Sequence, residues 1–308
     1  MLRRLLVSIP LLLFVSIVVF LLMELTPGDP AVLMLGQDAT PGSIAELRKQ
    51  FGLDLPLPQQ YLLFLGNLLH GDLGRSFVTH LSVGGELART WPATFELSVA
   101  AMLIALIVGL PLGIVTAVRR GGVFDQITRV TVLMTVSMPI FWSGLLLIYY
   151  FSVQLGWLPT SGRGDGTVSS ELLHLVLPAV SLSTFSLAVI VRLMRSSMLD
   201  VLGEDYMRTA RSKGLRTSTV IVRHGMKNAL IPVVTVAGLQ FGQLLAGAAL
   251  TETVFNWPGV GRLVVTAVFS RDYPMIRGAI LLIAATFIFV NLLVDLVYAF
   301  LDPRIRYA

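Results

Sequence analysis

The stretch "LSVAAMLIALIVGLPLGIVTAV", residues 97–118, decides the fold. It contains no charged residue, and two arginines follow it directly. A helix needs roughly 20 mostly apolar residues to cross the hydrocarbon core of a membrane, and this stretch is long enough. Five further stretches are also long and apolar and carry few or no charges in their centres, at 5–23, 127–151, 172–194, 229–251 and 278–301. The sequence therefore predicts an all-α, polytopic membrane protein with six transmembrane helices.

The composition agrees with that prediction. Charged residues make up 13% and hydrophobic residues 55% of the 308 residues, whereas a soluble domain usually carries about 25% charged residues. There is no cysteine, which excludes disulfides and cysteine-ligated metal centres. The four histidines have no metal-ligand spacing, and the sequence shows no convincing constellation of a nucleophile with a base. We therefore predict no metal site, no catalytic residues and no enzyme activity.

The first predicted span has a basic start and could be interpreted as a signal peptide. The apolar region of a signal peptide is about 7–15 residues long and leads to a cleavage site of small residues. Here the apolar run at 5–23 is longer and continues into "ELTPGDP", which offers no such site. We interpret residues 1–23 as a retained N-terminal anchor helix.

Orientation is predicted from the lysines and arginines, because cytoplasmic loops of membrane proteins are enriched in them. With the N-terminus inside, 15 of these residues fall in inside segments and 8 in outside segments. Both termini are therefore predicted to be cytoplasmic. The same rule accounts for the net charge of +5, so no nucleic-acid partner is predicted.

The long outside segment, 24–96, is predicted to form a small structured cap between the first and second spans. Ser43 and Glu46 have the spacing of a helix-starting capping box, and Gly52 can end that helix. A second short helix is predicted from Pro58 to His70. The cap either packs on the bundle alone or receives an external partner, and the residues favour neither. The remaining chain, 97–308, is then a five-helix core.

The cytoplasmic loop at 195–228 contains a charged run, "EDYMRTARSKG", at residues 204–214. Its acids stand at the start and its bases at the end, the order that suits a helix dipole. Glu204 and Arg208 form an i,i+4 pair with the acid first, and Gly214 is a natural end residue. The run therefore predicts a short helix, and a second one is expected over residues 218–228.

The predicted loop helix is too short and too polar to be stable alone. It is either a solvated loop beside lipid headgroups or a protruding helix that docks on a cytoplasmic partner. In the second case we expect Tyr206, Ala210 and Gly214 to form the docking face. A P-loop needs a lysine directly after a glycine, and none of the three lysines, Lys49, Lys213 and Lys227, has one. The chain cannot carry that ATPase site itself.

Polar residues inside the predicted spans are candidates for a translocation path. Met138 precedes Pro139 and can mark a kink in the third span, while Gln240 and Gln243 lie in the fifth span. The glutamines serve either to line a path or to pack between helices. Asp295 in the last span is expected to form a structural ion pair, with Arg192 or Arg195 as candidate partners.

Several segments together resemble the permeases of ABC importers, in the oligopeptide/dipeptide/nickel branch. They are "TPGDP" at 26–30, "FGLDLPLPQQY" at 51–61, "HGDLGRS" at 70–76, "EDYMRTARSKGL" at 204–215, "ETVFNWPGVGRL" at 252–263, "RDYP" at 271–274 and "NLLVDLVYAFLDPRIRY" at 291–307. The chain resembles the first, B-type permease subunit of these systems, and is similar to dipeptide and glutathione permeases. The glutamate of the wider importer signature falls on Arg208, so residue roles from sugar importers do not transfer.

The resemblance implies that the loop helix is a coupling helix that docks on a cytoplasmic ATPase. The implied ATPase-coupling residues are Glu204, Asp205, Tyr206, Arg208, Thr209, Ala210, Arg211, Lys213, Gly214 and Leu215. It further implies a homologous second permease, two ATPase subunits that bind ATP and Mg²⁺, and an extracytoplasmic substrate-binding protein. The chain itself would hold no cofactor and would lie, with membrane lipid around it, in the cytoplasmic (inner) membrane of a bacterium or archaeon.

Two other classes of function remain open from the residues alone. The chain could be an ion-gradient-driven secondary transporter or channel, since fold class does not fix function. Such transporters often show internal repeats and ionisable residues at the membrane midplane, and neither is convincing here. The third class is a membrane scaffold without a transport role.

Overall fold

The structure is a computed structural model that describes residues 2–24, 30–35 and 40–301. Within these ranges the regular secondary structure is helical, apart from one isolated antiparallel bridge between Arg75 and Ser82, and turns and loops connect the helices. Most of the "TPGDP" segment and the last residues, 302–308, lie outside the described residues. The helices are α1 Leu2–Glu24, α2 Pro30–Leu35, α3 Pro41–Phe51, α4 Leu57–Leu69, α5 Val83–Val118, α6 Val123–Ser137, α7 Ile140–Leu147, α8 Val168–Leu202, α9 Asp205–Ser212, α10 Thr217–Thr219, α11 Met226–Gly247, α12 Ala249–Val254, α13 Val260–Phe269 and α14 Tyr273–Leu301.

Four helical segments in the described chain are long and apolar enough to cross a membrane. They are Val83–Val118, Val168–Leu202, Thr217–Gly247 and Tyr273–Val294. A bent pair, Val123–Ser137 with Ile140–Gln154, raises the number to five if it is one span. The apolar stretch Val7–Leu21 of α1 belongs to a shorter class of 10–17 residues. The all-α membrane class is therefore confirmed, and the sixth span, the cytoplasmic termini and the cap remain predictions.

The third predicted span, 127–151, is not a single helix with a simple kink. The two parts of the bent pair meet at 108°, because Met138 adopts an extended conformation with φ −83° and ψ 131°. A residue before proline is pushed out of the helical region in this way. The second part begins at Ile140, and from Ile148 to Gln154 it winds as a π-helix.

The described chain forms two compact units. The first comprises Met1–Ala93 with Gly259–Ile288, and the second comprises Thr94–Pro258 with Phe289–Ala308. Because α5 and α14 each run through a boundary, these units do not coincide with the predicted divisions at 23 and 96. Those divisions concern the membrane boundary, so they remain predictions.

In the first unit, the turn before α14 is fixed by a buried carboxylate. Asp272 is 3% exposed and accepts hydrogen bonds from the hydroxyl of Ser76 and the backbone N–H of Phe77. Apolar residues at the start of α5, in α13 and in α14 surround Tyr273 and Met275 nearby. The "HGDLGRS" and "RDYP" segments thus form one buried contact.

The short helices of the 24–96 segment largely follow their predicted positions. Helix α3 begins earlier than expected, with Thr40 as its N-cap, and its capping box joins Thr40 to Ser43 instead of Ser43 to Glu46. Gly52 ends α3 in the left-handed region at φ 66°, as predicted. Helix α4 occupies Leu57–Leu69, one residue from the predicted bounds at each end.

In the second unit, α8 packs against α6, α7 and α11. Two glycines of α5, Gly109 and Gly113, face this helix closely. A Cβ atom at Gly113 would stand 2.6 Å from Cβ of Met194, and one at Gly109 would stand 2.9 Å from Cγ2 of Ile190. Small residues four apart let membrane helices approach closely, which explains why these positions lack side chains.

Candidate functional site

The loop helix predicted at 204–214 is present as α9. Glu204 is its N-cap with an extended backbone, and Lys213 is its C-cap. Gly214 follows in the left-handed region at φ 73°, a conformation that costs any other L-residue about 1–2 kcal/mol. The capping and the glycine stop therefore agree with the sequence prediction.

Helix α9 is held to the rest of its unit by apolar contacts on one side. Met207 is fully buried, and it packs with Ala210 of the same helix and Val220 beyond it. A Cβ atom at Gly225 would lie 2.7 Å from Cε of Met198 and 3.2 Å from Cε of Met207. The absence of a side chain at Gly225 therefore lets two methionines fill the space beneath α9.

Two expectations for this helix are wrong. Ala210 is only 8% exposed, so it faces the protein's own interior and cannot belong to an outward docking face with Tyr206 and Gly214. The ion pair of the helix joins Arg208 to Asp205 at 3.3 Å and not to Glu204. Glu204 is the N-cap and has an extended backbone. It therefore does not share a helical surface with Arg208, as an i,i+4 pair inside a helix would.

The second predicted helix, 218–228, is not a separate element. Helix α10 continues through a π-helical segment, Val220–Gly225, directly into α11, and Thr217–Gly247 is one continuous apolar helix. The hydroxyl of Tyr206 accepts a hydrogen bond of 2.8 Å from Nδ2 of Asn228. Helix α9 therefore contacts the beginning of a long helix at two places, through the π-helix and through Asn228.

The outward side of the loop carries most of the residues that the resemblance implied for coupling. Exposed side chains there are Glu204, Asp205, Tyr206, Arg208, Thr209, Arg211, Lys213 and Leu215. Arg208 and Asp205 have 75% and 93% of their side chains exposed. The available surface is thus a charged rim around Tyr206, with the apolar side already occupied.

The bend between α6 and α7 borders a cavity of about 300 Å³. Met138 and Gln243 both line it, together with Phe185 of α8. Gln240 is instead only 7% exposed, and its Nε2 atom has no hydrogen-bond partner among the described residues. The structure therefore brings two of the three path candidates to one cavity. Their role in a path remains a prediction.

An ion pair that the sequence analysis missed joins α6 to α8. Asp125 is fully buried, and Oδ1 and Oδ2 accept hydrogen bonds of 2.8 and 2.9 Å from Nε and Nη2 of Arg195. Arg129 approaches the same carboxylate at 3.6 Å. The signal available in the sequence was an acid in the first turn of an apolar helix beside an arginine-rich loop.

The expected ion pair of Asp295 with Arg192 or Arg195 remains a prediction. Arg195 is bound to Asp125, which lies 70 residues earlier in the chain. The side chain of Asp295 lies outside the described residues.

Among the residues described, no group of three or more His, Asp or Glu side chains stands close enough to hold a metal ion.

Most of the chain matches known sequence families. Residues 109–307 match the family described as "Binding-protein-dependent transport system inner membrane component", and residues 1–98 match the N-terminal family of the same membrane components. The chain belongs to this family. It is therefore a multi-pass inner-membrane transport permease, and its resemblance to ABC importer permeases is confirmed.

Relatives at high identity support the same assignment. The glutathione transport system permease protein GsiC of Pectobacterium atrosepticum is 50% identical, with 99% of this chain and 98% of the relative covered. The di/tripeptide transport system permease protein DppB of Pseudomonas aeruginosa is 47% identical, and DppB of Escherichia coli is 45% identical, both with the same coverage. These relatives are permease components and not enzymes.

Solved structures share the permease fold. The inward-facing MetNI methionine ABC transporter matches with a TM-score of 0.57 at 17% identity, over 70% of this chain and 96% of that chain. An amino acid ABC transporter with histidines matches with a TM-score of 0.51 at 16% identity, over 72% and 94%. At these identities the likeness concerns the fold alone.

Proposed function

We propose that this permease is the translocation subunit of an ATP-driven importer for small peptides, of the di/tripeptide or glutathione-like class. The names of the relatives at 45–50% identity support this class of substrate. A second permease, homologous to this chain, would complete the path. An extracytoplasmic binding protein would deliver the peptide near the 24–96 segment, across a bacterial cytoplasmic membrane.

One observation carries the proposed energy coupling. The apolar side of helix α9 packs against the protein's own interior. Its other side presents exposed, charged residues next to Gly214, which has a left-handed backbone. Because the chain has no P-loop lysine, ATP and Mg²⁺ would be bound by two partner ATPase subunits. Movement of an ATPase would be transmitted from α9 to α11 by two contacts, that of Met207 with the π-helical segment before α11 and the hydrogen bond of Tyr206 with Asn228.

Orientation can be tested directly, because the chain contains no cysteine. Single cysteines at Ser212 in the loop and at Gln59 at the start of α4 are both exposed. A membrane-impermeant maleimide added to intact spheroplasts should label Gln59→Cys and spare Ser212→Cys. After membrane disruption both should be labelled. The reverse pattern would contradict the proposed cytoplasmic loop.

Function is tested by reconstituting the chain with its second permease, its ATPases and its binding protein in liposomes. Uptake of a labelled dipeptide, and of labelled glutathione in a parallel assay, should require ATP inside the vesicles and the binding protein outside. Uptake driven by an ion gradient without ATPases would favour the secondary transporter or channel instead. Assembly without uptake of either peptide would refute the proposed substrates.

A further inference from the structure

A second cavity, of about 420 Å³, lies between α6 and α8. Its lining combines three arginines, Arg129, Arg192 and Arg195, with apolar residues of α6, and three further lining residues carry hydroxyl groups. Cavities for small ligands usually measure about 300–1,000 Å³. The cavity is therefore large enough for a chemical group larger than an ion.

Positive charge exceeds negative charge around this cavity. Asp125 binds Arg195 and stands 3.6 Å from Arg129. No carboxylate of the described residues forms an ion pair with Arg192, whose side chain is exposed. None of the described lining residues is Asp or Glu. Among the described residues, one carboxylate, Asp125, contacts two of these three guanidinium groups, and the site favours a ligand that is anionic overall.

On α6 the arginine of the lining comes first and the apolar lining residues follow it at helical spacing, as Val132, Leu133 and Val136. From Arg129 to Val136 the helix rises by about 10 Å at 1.5 Å per residue. Leu133 is 68% exposed and Val136 37% exposed. A charged end and an open apolar wall along one helix face suit an amphiphile that lies parallel to the helix.

We propose that this cavity binds an anionic phospholipid, with its phosphate at Arg129 and Arg192 and an acyl chain along Leu133 and Val136. Basic pockets between membrane helices are a recognised form of headgroup site. A free phosphate would make no use of the apolar wall. A dipeptide and glutathione both carry an ammonium group, for which the described lining offers no carboxylate, and neither has an acyl chain for the apolar wall. The proposal rests on the proposed function for one point only, which membrane leaflet supplies the lipid. That point follows from the orientation of α9, because the arginines lie where α8 leads into α9.

The test is native mass spectrometry of the assembled transporter, delipidated in detergent and titrated with phosphatidylglycerol or phosphatidylcholine. Phosphatidylglycerol should bind more tightly to the wild type. Arg192→Gln and Arg129→Gln should each weaken its binding by roughly fivefold, since one arginine near an anionic lipid surface is worth about 1 kcal/mol. Arg120→Gln, an exposed arginine outside the lining, is the matched control and should change little.

A second pair of variants, one inside the lining and one outside it, tests the apolar wall. Leu133→Ser should weaken binding of phosphatidylglycerol, whereas Met134→Ser, 60% exposed on the same helix but outside the lining, should not. Millimolar inorganic phosphate should fail to displace the lipid. If Arg192→Gln does not yield a monodisperse complex, Arg192→Lys should fold and keep the preference for phosphatidylglycerol.

Each of the following results would overturn the proposal. Equal binding of the two lipids by the wild type, or equal loss in Arg192→Gln and Arg120→Gln, would reduce the preference to general surface charge. Displacement by inorganic phosphate would make the cavity a small-anion site. Displacement by a dipeptide would assign it to the substrate. ATP-dependent peptide uptake that persists without lipid selectivity would refute this inference and leave the proposed function intact.

Discussion

Asp125 and Asp272 are both buried carboxylates, but their partners differ in kind. Asp125 in the second unit is bound by a guanidinium group, through two hydrogen bonds from Arg195. Asp272 in the first unit is bound by neutral donors, the Ser76 hydroxyl and the Phe77 amide. The first carboxylate links two long helices through opposite charges, and the second closes a turn ahead of one helix.

The difference predicts unequal consequences when a partner is removed. A buried charge that loses its counter-ion keeps its desolvation penalty, which is several kcal/mol. A neutral donor that loses its acceptor leaves an unsatisfied polar group, at a cost of about 1–3 kcal/mol. Removal of a partner should therefore destabilise the protein more at Asp125 than at Asp272.

The largest expected effect follows from Arg195→Gln. Because Asp125 would remain buried, we expect a loss of about 3–5 kcal/mol in the free energy of unfolding. Unfolding in detergent by a denaturant titration, followed by circular dichroism, measures it. Arg192→Gln on the same helix is the control, since Arg192 has no ion pair with Asp125. Equal losses in the two variants would show that the pair does not stabilise the helix contact.

Arg195→Lys sharpens the same prediction. It keeps the positive charge but cannot reproduce the planar, two-pronged geometry of the guanidinium group. We expect its stability to lie between the wild type and Arg195→Gln. Full stability in Arg195→Lys would mean that charge alone, and not the paired hydrogen bonds, fixes α8 to α6.

The Asp125 pair also shows where sequence reasoning stops. The apolar spans and the ends of α9 were predictable because length, capping and a glycine stop act locally. The partner of Asp125 was not, because the residues are 70 positions apart and only helix packing brings them together. Pro139 indicated a bend in the third span, but the 108° angle depends on what each half of the bent pair packs against. Ala210 was misassigned because its burial depends on Val220, which lies beyond the end of α9.

The next effect is expected from Asp272→Ala in the first unit. The variant would leave the fully buried Ser76 hydroxyl without its acceptor, at a cost of about 1–3 kcal/mol. Asp272→Asn should lose less, because the amide oxygen can still accept a hydrogen bond. The same denaturant titration measures both. A loss in Asp272→Ala larger than that in Arg195→Gln would reverse the comparison between the two carboxylates.

A smaller effect is expected from Arg129→Gln. Arg129 approaches Asp125 at 3.6 Å, but its side chain is 57% exposed, and exposed ion pairs contribute about 0–1 kcal/mol. The loss should shrink further when the titration is repeated at high salt, because salt screens exposed charges. A loss comparable to that of Arg195→Gln would mean that the carboxylate is shared equally between both arginines.

The smallest effect on stability is expected where the effect on function is greatest. Arg208→Ala removes an ion pair with Asp205 whose side chains are 75% and 93% exposed, so the free energy of unfolding should change by less than about 1 kcal/mol. In the reconstituted complex, binding-protein-stimulated ATP hydrolysis should nevertheless fall towards the unstimulated rate. Gly214→Ala should act similarly, with an added cost of about 1–2 kcal/mol for its left-handed backbone.

Ser212→Ala, an exposed position at the end of the same helix, serves as the control and should keep stimulated hydrolysis. A parallel loss in all three variants would indicate general damage to the loop. Unchanged hydrolysis and uptake in both Arg208→Ala and Gly214→Ala would remove the coupling role of α9. In that case the charged rim of the loop would be a solvated surface without a partner.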